Sequence, residues 1–317
     1  MEAGHLRMWR NSHRVLYYHQ IGDKRSTVCA GGISQRQFEA QIRFLSKAGF
    51  RFVSLSEAIQ DTCGKKPTIS ITTDDGLSCN HEFIFPILKK YRVPLTMFLI
   101  GKCIDNRAMA WNHKLLAIRT ANSPQLIEQR LFDLKDDFKL PEETDLGKRL
   151  FGVEMEEKDA FTDVLWKALM QVSQEEFLAQ NKPFLTLEQV KELCTAGTEI
   201  GSHSFSHPDF SRLSFGQMKL ELDQTDEVFR SLAIPMQRLF SFPYGRLCKL
   251  NEMHRLAKDA NLGMCCGGRF KSSDNQPGNL LWQRQKMELS PFSAFGELLV
   301  KPPLRYLKDR YQPERDR

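Results

Sequence analysis

Ile69-Ser70-Ile71-Thr72-Thr73-Asp74-Asp75-Gly76 is a run of β-branched and small residues, without helical period, that stops on two adjacent carboxylates and a glycine. Such a run reads as a buried strand. Successive strand side chains point to opposite faces, so both acids reach one pocket only if the backbone turns here, and Gly76 permits that turn. Two carboxylates held this close do not both ionise comfortably without a cation, because like charges raise one pKa. A metal at one and proton transfer at the other removes the conflict.

Glu199-Ile200-Gly201-Ser202-His203-Ser204-Phe205-Ser206-His207-Pro208 places two imidazoles four residues apart, beyond a second short strand-like segment. The run is rich in Gly, Ser and Pro, so it reads as a loop and not as the helical two-histidine pattern of a zinc protease. One carboxylate and two imidazoles make a facial triad with open positions for water and substrate. Thr72-Thr73-Asp74-Asp75-Gly76 followed by His203-Ser204-Phe205-Ser206-His207-Pro208 resembles the first two motifs of the polysaccharide deacetylases, the NodB-homology or carbohydrate esterase family 4 enzymes. The resemblance implies Asp74 as general base and Asp75, His203 and His207 as ligands of a divalent metal. Zinc is the default, and two nitrogens with one carboxylate also accept cobalt, nickel or iron.

A third element, Phe240-Ser241-Phe242-Pro243-Tyr244-Gly245, resembles the family's substrate-groove wall. By that resemblance Pro243 and Tyr244 line the groove, and the Tyr244 backbone N–H helps hold an oxyanion. Many members carry an arginine just before the Pro-Tyr-Gly, in contact with the base, whereas this chain has Ser241-Phe242. Arg284, in Leu281-Trp282-Gln283-Arg284, resembles a late Leu-Pro-Arg element of some members and is a candidate for that charge; a structural ion pair is the other reading. The usual Leu-x-His near the C-terminus is missing, since no histidine follows His254. Tyr17-Tyr18-His19-Gln20-Ile21 resembles the N-terminal Tyr-His strand of a circularly rearranged subset, which makes His19 the implied general acid; a packed core histidine is the alternative. His81 is expected to line the pocket wall, His254 to lie on a helix surface, and His5, His13 and His113 show no partner pattern.

Working outward, strand signals at Val15–His19, Phe50–Leu55, Leu95–Ile100, Arg238–Gly245, Leu262–Cys266 and Leu280–Arg284 join those at the two motifs. Helical periods separate them: from Ser34 to Gly49, over 80–91, over Thr186–Ala196, over Ser214–Leu232 and over 249–260. Alternation of this kind predicts a parallel sheet with right-handed crossovers. The expected fold is therefore α/β, a distorted (β/α) TIM-like barrel of about seven or eight strands with the motifs at strand C-terminal ends. A helical insertion is expected over about 105–182, in stretches Leu115–Ala121, Pro124–Phe132, Lys158–Val172 and Gln174–Gln180, and the resemblance covers about 13–101 and 184–290. All 317 residues are expected to form one domain.

A barrel of about 250 residues plus an insertion fits this length, and 41% hydrophobic residues support a sizeable core. Net charge is 45 − 39 = +6, which suits an anionic partner such as a sugar nucleotide or lipid pyrophosphate; no nucleic-acid module is present. Met1–Arg10 holds no apolar region, so no signal peptide is expected, and no stretch approaches a membrane span. The eight cysteines (29, 63, 79, 103, 194, 248, 265 and 266) are scattered without C-x-x-C, which favours reduced thiols and a cytoplasmic setting. The vicinal Cys265-Cys266 pair reads as packing. The tail Lys301–Arg317, with six basic and three acidic residues, reads first as a solvated terminus and second as a peripheral contact with the inner membrane face.

The expected activity is removal of acetyl from N-acetylated amino sugars of a bacterial polysaccharide or its precursor: an exopolysaccharide, capsule or O-antigen. Cyclic-amide hydrolysis on the same fold, or glycan binding without turnover, are the alternatives.

Overall fold

A computed structural model describes residues 13–22, 28, 32–60, 67–135, 137–268 and 275–288. The N-terminal ten residues, Cys29, Cys63 and the tail 301–317 lie outside the described residues.

Eight parallel strands are present among the described residues: β1 (His13–Tyr18), β2 (Arg51–Phe52), β3 (Thr68–Thr73), β4 (Leu95–Leu99), β5 (Glu199–Ser202), β6 (Met236–Ser241), β7 (Met264–Gly267) and β8 (Leu281–Lys286). β1 pairs with β8 on one side and with β3 on the other, in register His13↔Thr68 through Tyr18↔Thr73. That pairing closes seven strands into a barrel and leaves the two-residue β2 as an extra strand against the start of β3. The expected barrel of seven or eight strands is what forms.

Alternation along each strand separates two apolar layers. Ile69 and Ile71 of β3, with Leu16 and Tyr18 of β1, pack outward against Phe38, Ile42 and Leu45 of the helix Gln35–Lys47. Val15, Phe98, Leu239, Cys266 and Trp282 form a separate cluster from five strands, the plug of the barrel interior. Ser70 and Thr72 sit on the other face of β3 from its isoleucines and are satisfied by neighbouring backbone: Ser70 Oγ donates to the Val53 carbonyl at 2.8 Å, Thr72 Oγ1 to the Leu16 carbonyl at 3.0 Å. Asp74 continues that alternation and so arrives over the barrel's open end.

The second expected strand, Phe50–Leu55, shrinks to Arg51–Phe52 because Ser54 Oγ accepts from the Glu57 N–H and starts a helix at Leu55. The helical region falls within the expected 105–182, but more of it is helical than the expected stretches. Trp111–Ala121 begins a full turn before Leu115, and Leu146–Gly152 is a further helix. The first turn, Trp111-Asn112-His113-Lys114, carries no apolar period and so gives no sequence signal; it is buried by what Trp111 and His113 touch. These helices share a core of Leu115, Ile118, Ile127, Leu131, Phe161, Leu165, Trp166 and Phe177, and Leu77 and Phe184 at the barrel rim belong to the same cluster. A Leu77↔Phe184 bridge pins the segment to the turn that follows β3.

Gly201 in β5 faces the plug so closely that an added Cβ would lie 2.8 Å from the Phe98 ring and 2.9 Å from the Leu239 carbonyl oxygen. A backbone atom cannot swing away as a side chain can. Gly201→Ala should therefore lower stability by about 1–3 kcal/mol, the usual cost of overpacking, and displace His203 two residues on. Urea titration checks the first effect; a wild-type midpoint would refute the close approach.

Candidate active site

β3 ends at Thr73, and the chain then turns through Asp75 (φ 69°) and Gly76 (φ 71°), both left-handed. The turn expected at Gly76 thus includes Asp75 itself. Both carboxylates are brought to one buried pocket, where Asp74 is 2% and Asp75 5% exposed.

Asp74 is held by a cation. Arg284 Nη1 donates to its Oδ1 and Nη2 to its Oδ2, each at 2.7 Å, a fork on fork across the barrel mouth. The guanidinium is itself fixed: Nη2 also donates to Ser241 Oγ at 2.6 Å, and its carbon lies 4.6 Å from the Tyr17 ring centroid. Burial raises the Asp74 pKa, but the Arg284 charge and hydrogen bonds, with His203, bring it below the ordinary carboxylate value. The small Ser241 at the position before Phe242-Pro243 leaves room for an arginine from β8 instead of one on β6.

Asp75 is arranged differently. Its Oδ1 lies 3.5 Å from both His203 Nε2 and His207 Nε2, and that oxygen is buried without a hydrogen-bond partner among the described residues. The two Nε2 atoms are 3.2 Å apart. His203 Nδ1 lies 2.8 Å from the Ser241 carbonyl, which can only accept, so the proton sits on Nδ1 and Nε2 carries a lone pair. His207 Nδ1 is 3.0 Å from Tyr244 Oη, whose own hydrogen can reach the His207 carbonyl at 3.4 Å. His207 Nε2 is then likewise a bare lone pair. Burial, stronger than the nearby carboxylates, lowers the pKa of both imidazoles and keeps them neutral. Three lone-pair atoms face one point with no proton between them, which is the donor set of a divalent cation and repulsive without one. The residues fit the metal that the sequence implies.

His19 stands at the end of β1. Glu288 Oε2 is 3.2 Å from its Nδ1, and Glu288 Oε1 accepts from the backbone N–H of His19 and, at 2.8 Å, from that of Gln20. Burial lowers the His19 pKa, but the Glu288 hydrogen bond and charge, with smaller contributions from Asp75 and Asp74, carry it up to about 9. The side chain keeps 23% exposure, enough to meet a bound molecule. Pro243 is buried in the turn after β6, and Tyr244, with φ 59°, leaves its ring partly exposed beside His207.

The remaining histidines divide. His81, expected to line the pocket, instead meets Glu192 at 2.8 Å and stacks on Phe85, because the helix after Ser78 turns position 81 toward the helix Leu187–Thr195. His254 is exposed. His13 is a packed strand residue bonded to Thr68 and Ser70. Three contributors lacked any sequence signal: His113, with Nε2 3.3 Å from Asp75 Oδ2; Trp111, whose Nε1 donates to the His207 carbonyl at 3.2 Å; and Glu288. The helical segment is part of the site.

The family model described as "Polysaccharide deacetylase" matches residues 61–146 and 156–264, and so takes in most of that segment. The putative polysaccharide deacetylase YxkH of Bacillus subtilis (strain 168) is 22% identical over 236 residues, covering 73% of this chain and 56% of that protein. The poly-beta-1,6-N-acetyl-D-glucosamine N-deacetylase of Staphylococcus aureus (strain MSSA476) is 39% identical over 71 residues, 22% of this chain and 24% of that protein. The chain thus spans about half the length of the first and a quarter of the second. Among solved structures, the Streptococcus pyogenes deacetylase PplD in complex with acetate superposes with a TM-score of 0.55 at 18% identity, over 90% of this chain and 96% of that one. IcaB from Ammonifex degensii gives 0.55 at 19%, over 90% and 94%. At these identities the superpositions establish the shared fold.

Removing one partner of a buried ion pair leaves an uncompensated charge and costs about 3–5 kcal/mol. Arg284→Ala should destabilise the fold by that order and raise the Asp74 pKa. Chemical denaturation at pH 7 and again at low pH checks this: the deficit should shrink as Asp74 is protonated. An equal deficit at both pH values would mean the guanidinium acts through packing alone.

Proposed function

This chain belongs to the polysaccharide deacetylase family, and from that premise we propose that it is a metal-dependent N-deacetylase acting on N-acetylated amino sugars of a bacterial exopolysaccharide or its precursor. The observation that carries the reading is the convergence of Asp75 Oδ1 with two unprotonated Nε2 atoms, one residue from a carboxylate clamped by Arg284.

Asp75, His203 and His207 would hold a divalent cation, zinc first and cobalt, nickel or iron next, which would supply Lewis-acid polarisation of the acetamide carbonyl and of the attacking water. Asp74, kept ionised by Arg284, takes a proton from that water; Arg284 fixes both its oxygens, so the base is presented in one orientation. The Tyr244 backbone N–H and the Pro243 turn form the wall on which the developing oxyanion is received. His19, kept protonated by Glu288, gives its proton to the departing amine. The acetylated glucosamine polymer named for the staphylococcal relative supports an amino-sugar glycan as the substrate class.

His203→Ala should lose bound metal and acetate release together, whereas Asp74→Asn should keep the metal and release almost no acetate. Metal analysis beside an acetate assay on N-acetylglucosamine oligomers decides this; metal retained at one equivalent by His203→Ala would overturn the ligand assignment. His19→Ala should reduce turnover by about 10²–10⁴-fold without metal loss, the range of a positioned general acid.

The His19 pKa also fixes the sign of a pH effect. It is raised from 6.5 to about 9, so the proton is held at neutral pH and lost as pH rises through about 9. The linked stability is fully present below pH 6.5 and is lost over the same rise. Activity should show a basic limb near that value, and Glu288→Gln should move the limb to lower pH. A limb that stays in place in Glu288→Gln would remove His19 from the acid role.

A further inference from the structure

Resting on the metal reading above, we propose that His113 is a positioning residue that commits one oxygen of Asp75, so that the carboxylate offers the cation a single oxygen. His113 comes from the first turn of the helix Trp111–Ala121, far from the motifs in sequence, and is 2% exposed. Its Nε2 lies 3.3 Å from Asp75 Oδ2. An ionised carboxylate oxygen can only accept, so the proton of this contact sits on His113 Nε2.

Two aromatic rings flank the imidazole. The Phe184 ring centroid is 5.1 Å away and that of His207 6.2 Å, nearly parallel to it. Nδ1 is buried and has no hydrogen-bond partner among the described residues. An unsatisfied buried polar atom costs on the order of 1–3 kcal/mol, a cost that an apolar side chain at this position would not carry. Among the described residues, the contact with Asp75 is the one polar interaction of this ring.

Its consequence follows from the two oxygens of Asp75. Oδ1 faces His203 and His207 without a donor of its own, and Oδ2 faces His113. A carboxylate with both oxygens free can rotate or chelate through both. With Oδ2 held, only Oδ1 reaches the point shared by the imidazoles, and coordination positions stay open for water and substrate. The same helical turn acts on a second ligand, since Trp111 Nε1 donates to the His207 carbonyl. One turn of the helical segment therefore braces two of the three ligands, which makes the segment a determinant of metal affinity.

The test compares zinc affinity of the metal-stripped full chain, by competition with a chromogenic chelator, in wild type, His113→Phe and His113→Gln. Phe keeps the ring packing and deletes the donor; Gln restores an amide N–H at similar reach. His113→Phe should bind zinc about 10–100-fold more weakly, the range for loss of an outer partner of a ligand, and His113→Gln should stay close to wild type. Melting of the metal-free proteins reports folding separately, and His113→Asn, which withdraws the donor, replaces His113→Phe if that variant does not fold. Equal zinc affinity in wild type and the donor-deleted variant would overturn the proposal. So would a changed visible spectrum of the cobalt-substituted His113→Gln protein, because it would make His113 a ligand itself. A wild-type chain that binds no divalent cation would instead sink the metal reading on which this rests.

Discussion

Asp75 is the one carboxylate at the barrel mouth that no guanidinium or ammonium among the described residues matches. Asp74, its neighbour, is forked by Arg284, and Glu288 is met by His19 and Lys286. Asp75 has only imidazoles for partners, and two of those present lone pairs to it. Taking an ionised carboxylate out of water is costly unless opposite charge is supplied. Asp75 Oδ1 and the two Nε2 atoms are grouped as the set that would hold the metal ion of the proposed function.

Much of the local backbone can be understood as the cost of that arrangement. Asp75, Ser204, His207 and Tyr244 all hold left-handed φ values without being glycine, at about 1–3 kcal/mol for each such sparsely populated conformation. They persist because each is tied down. The Ser204 N–H donates to Ser202 Oγ and the His207 N–H to Ser204 Oγ, so the loop between the two imidazoles is closed by its own serines. Below it, the apolar plug of Val15, Phe98, Leu239, Cys266 and Trp282 supplies the rigid floor. The β1–β3 ladder closes the barrel beneath the rim.

The barrel was legible because its signals are local: strand runs ending on chemistry-bearing residues, separated by helical periods. The same holds for Asp74, Asp75, His203 and His207, which announce themselves as adjacent acids and paired histidines next to glycines. What was not legible was partnership across the barrel. Glu288 follows β8 in a polar stretch with no motif, and only the parallel pairing of β8 with β1 brings it to His19. His113 and Trp111 sit in a turn without hydrophobic period, so the sequence shows a shorter helix and no reason for a histidine there. His81 erred in the other direction: its closeness to Gly76 in sequence suggested the pocket, but helix rotation decides where a side chain points. Register and rotation are long-range outcomes that a local pattern does not encode.

The two titrating groups at the mouth are pushed in opposite directions by neighbours of opposite charge. Arg284 lowers Asp74, and Glu288 raises His19 to about 9. Groups driven apart in this way carry distinct assignments, one anionic and one protonated at neutral pH. The lowered value has a further implication. A carboxylate stabilised by a forked guanidinium is a weaker base, and it takes a proton more readily from a water more acidic than bulk water. Under the proposed function, a divalent cation held by Asp75, His203 and His207 would acidify such a water, one peptide bond from the base. On that proposal the clamp on Asp74 and the donor set beside it are complementary: the clamp weakens the base, and the cation would supply acidity to the water it acts on.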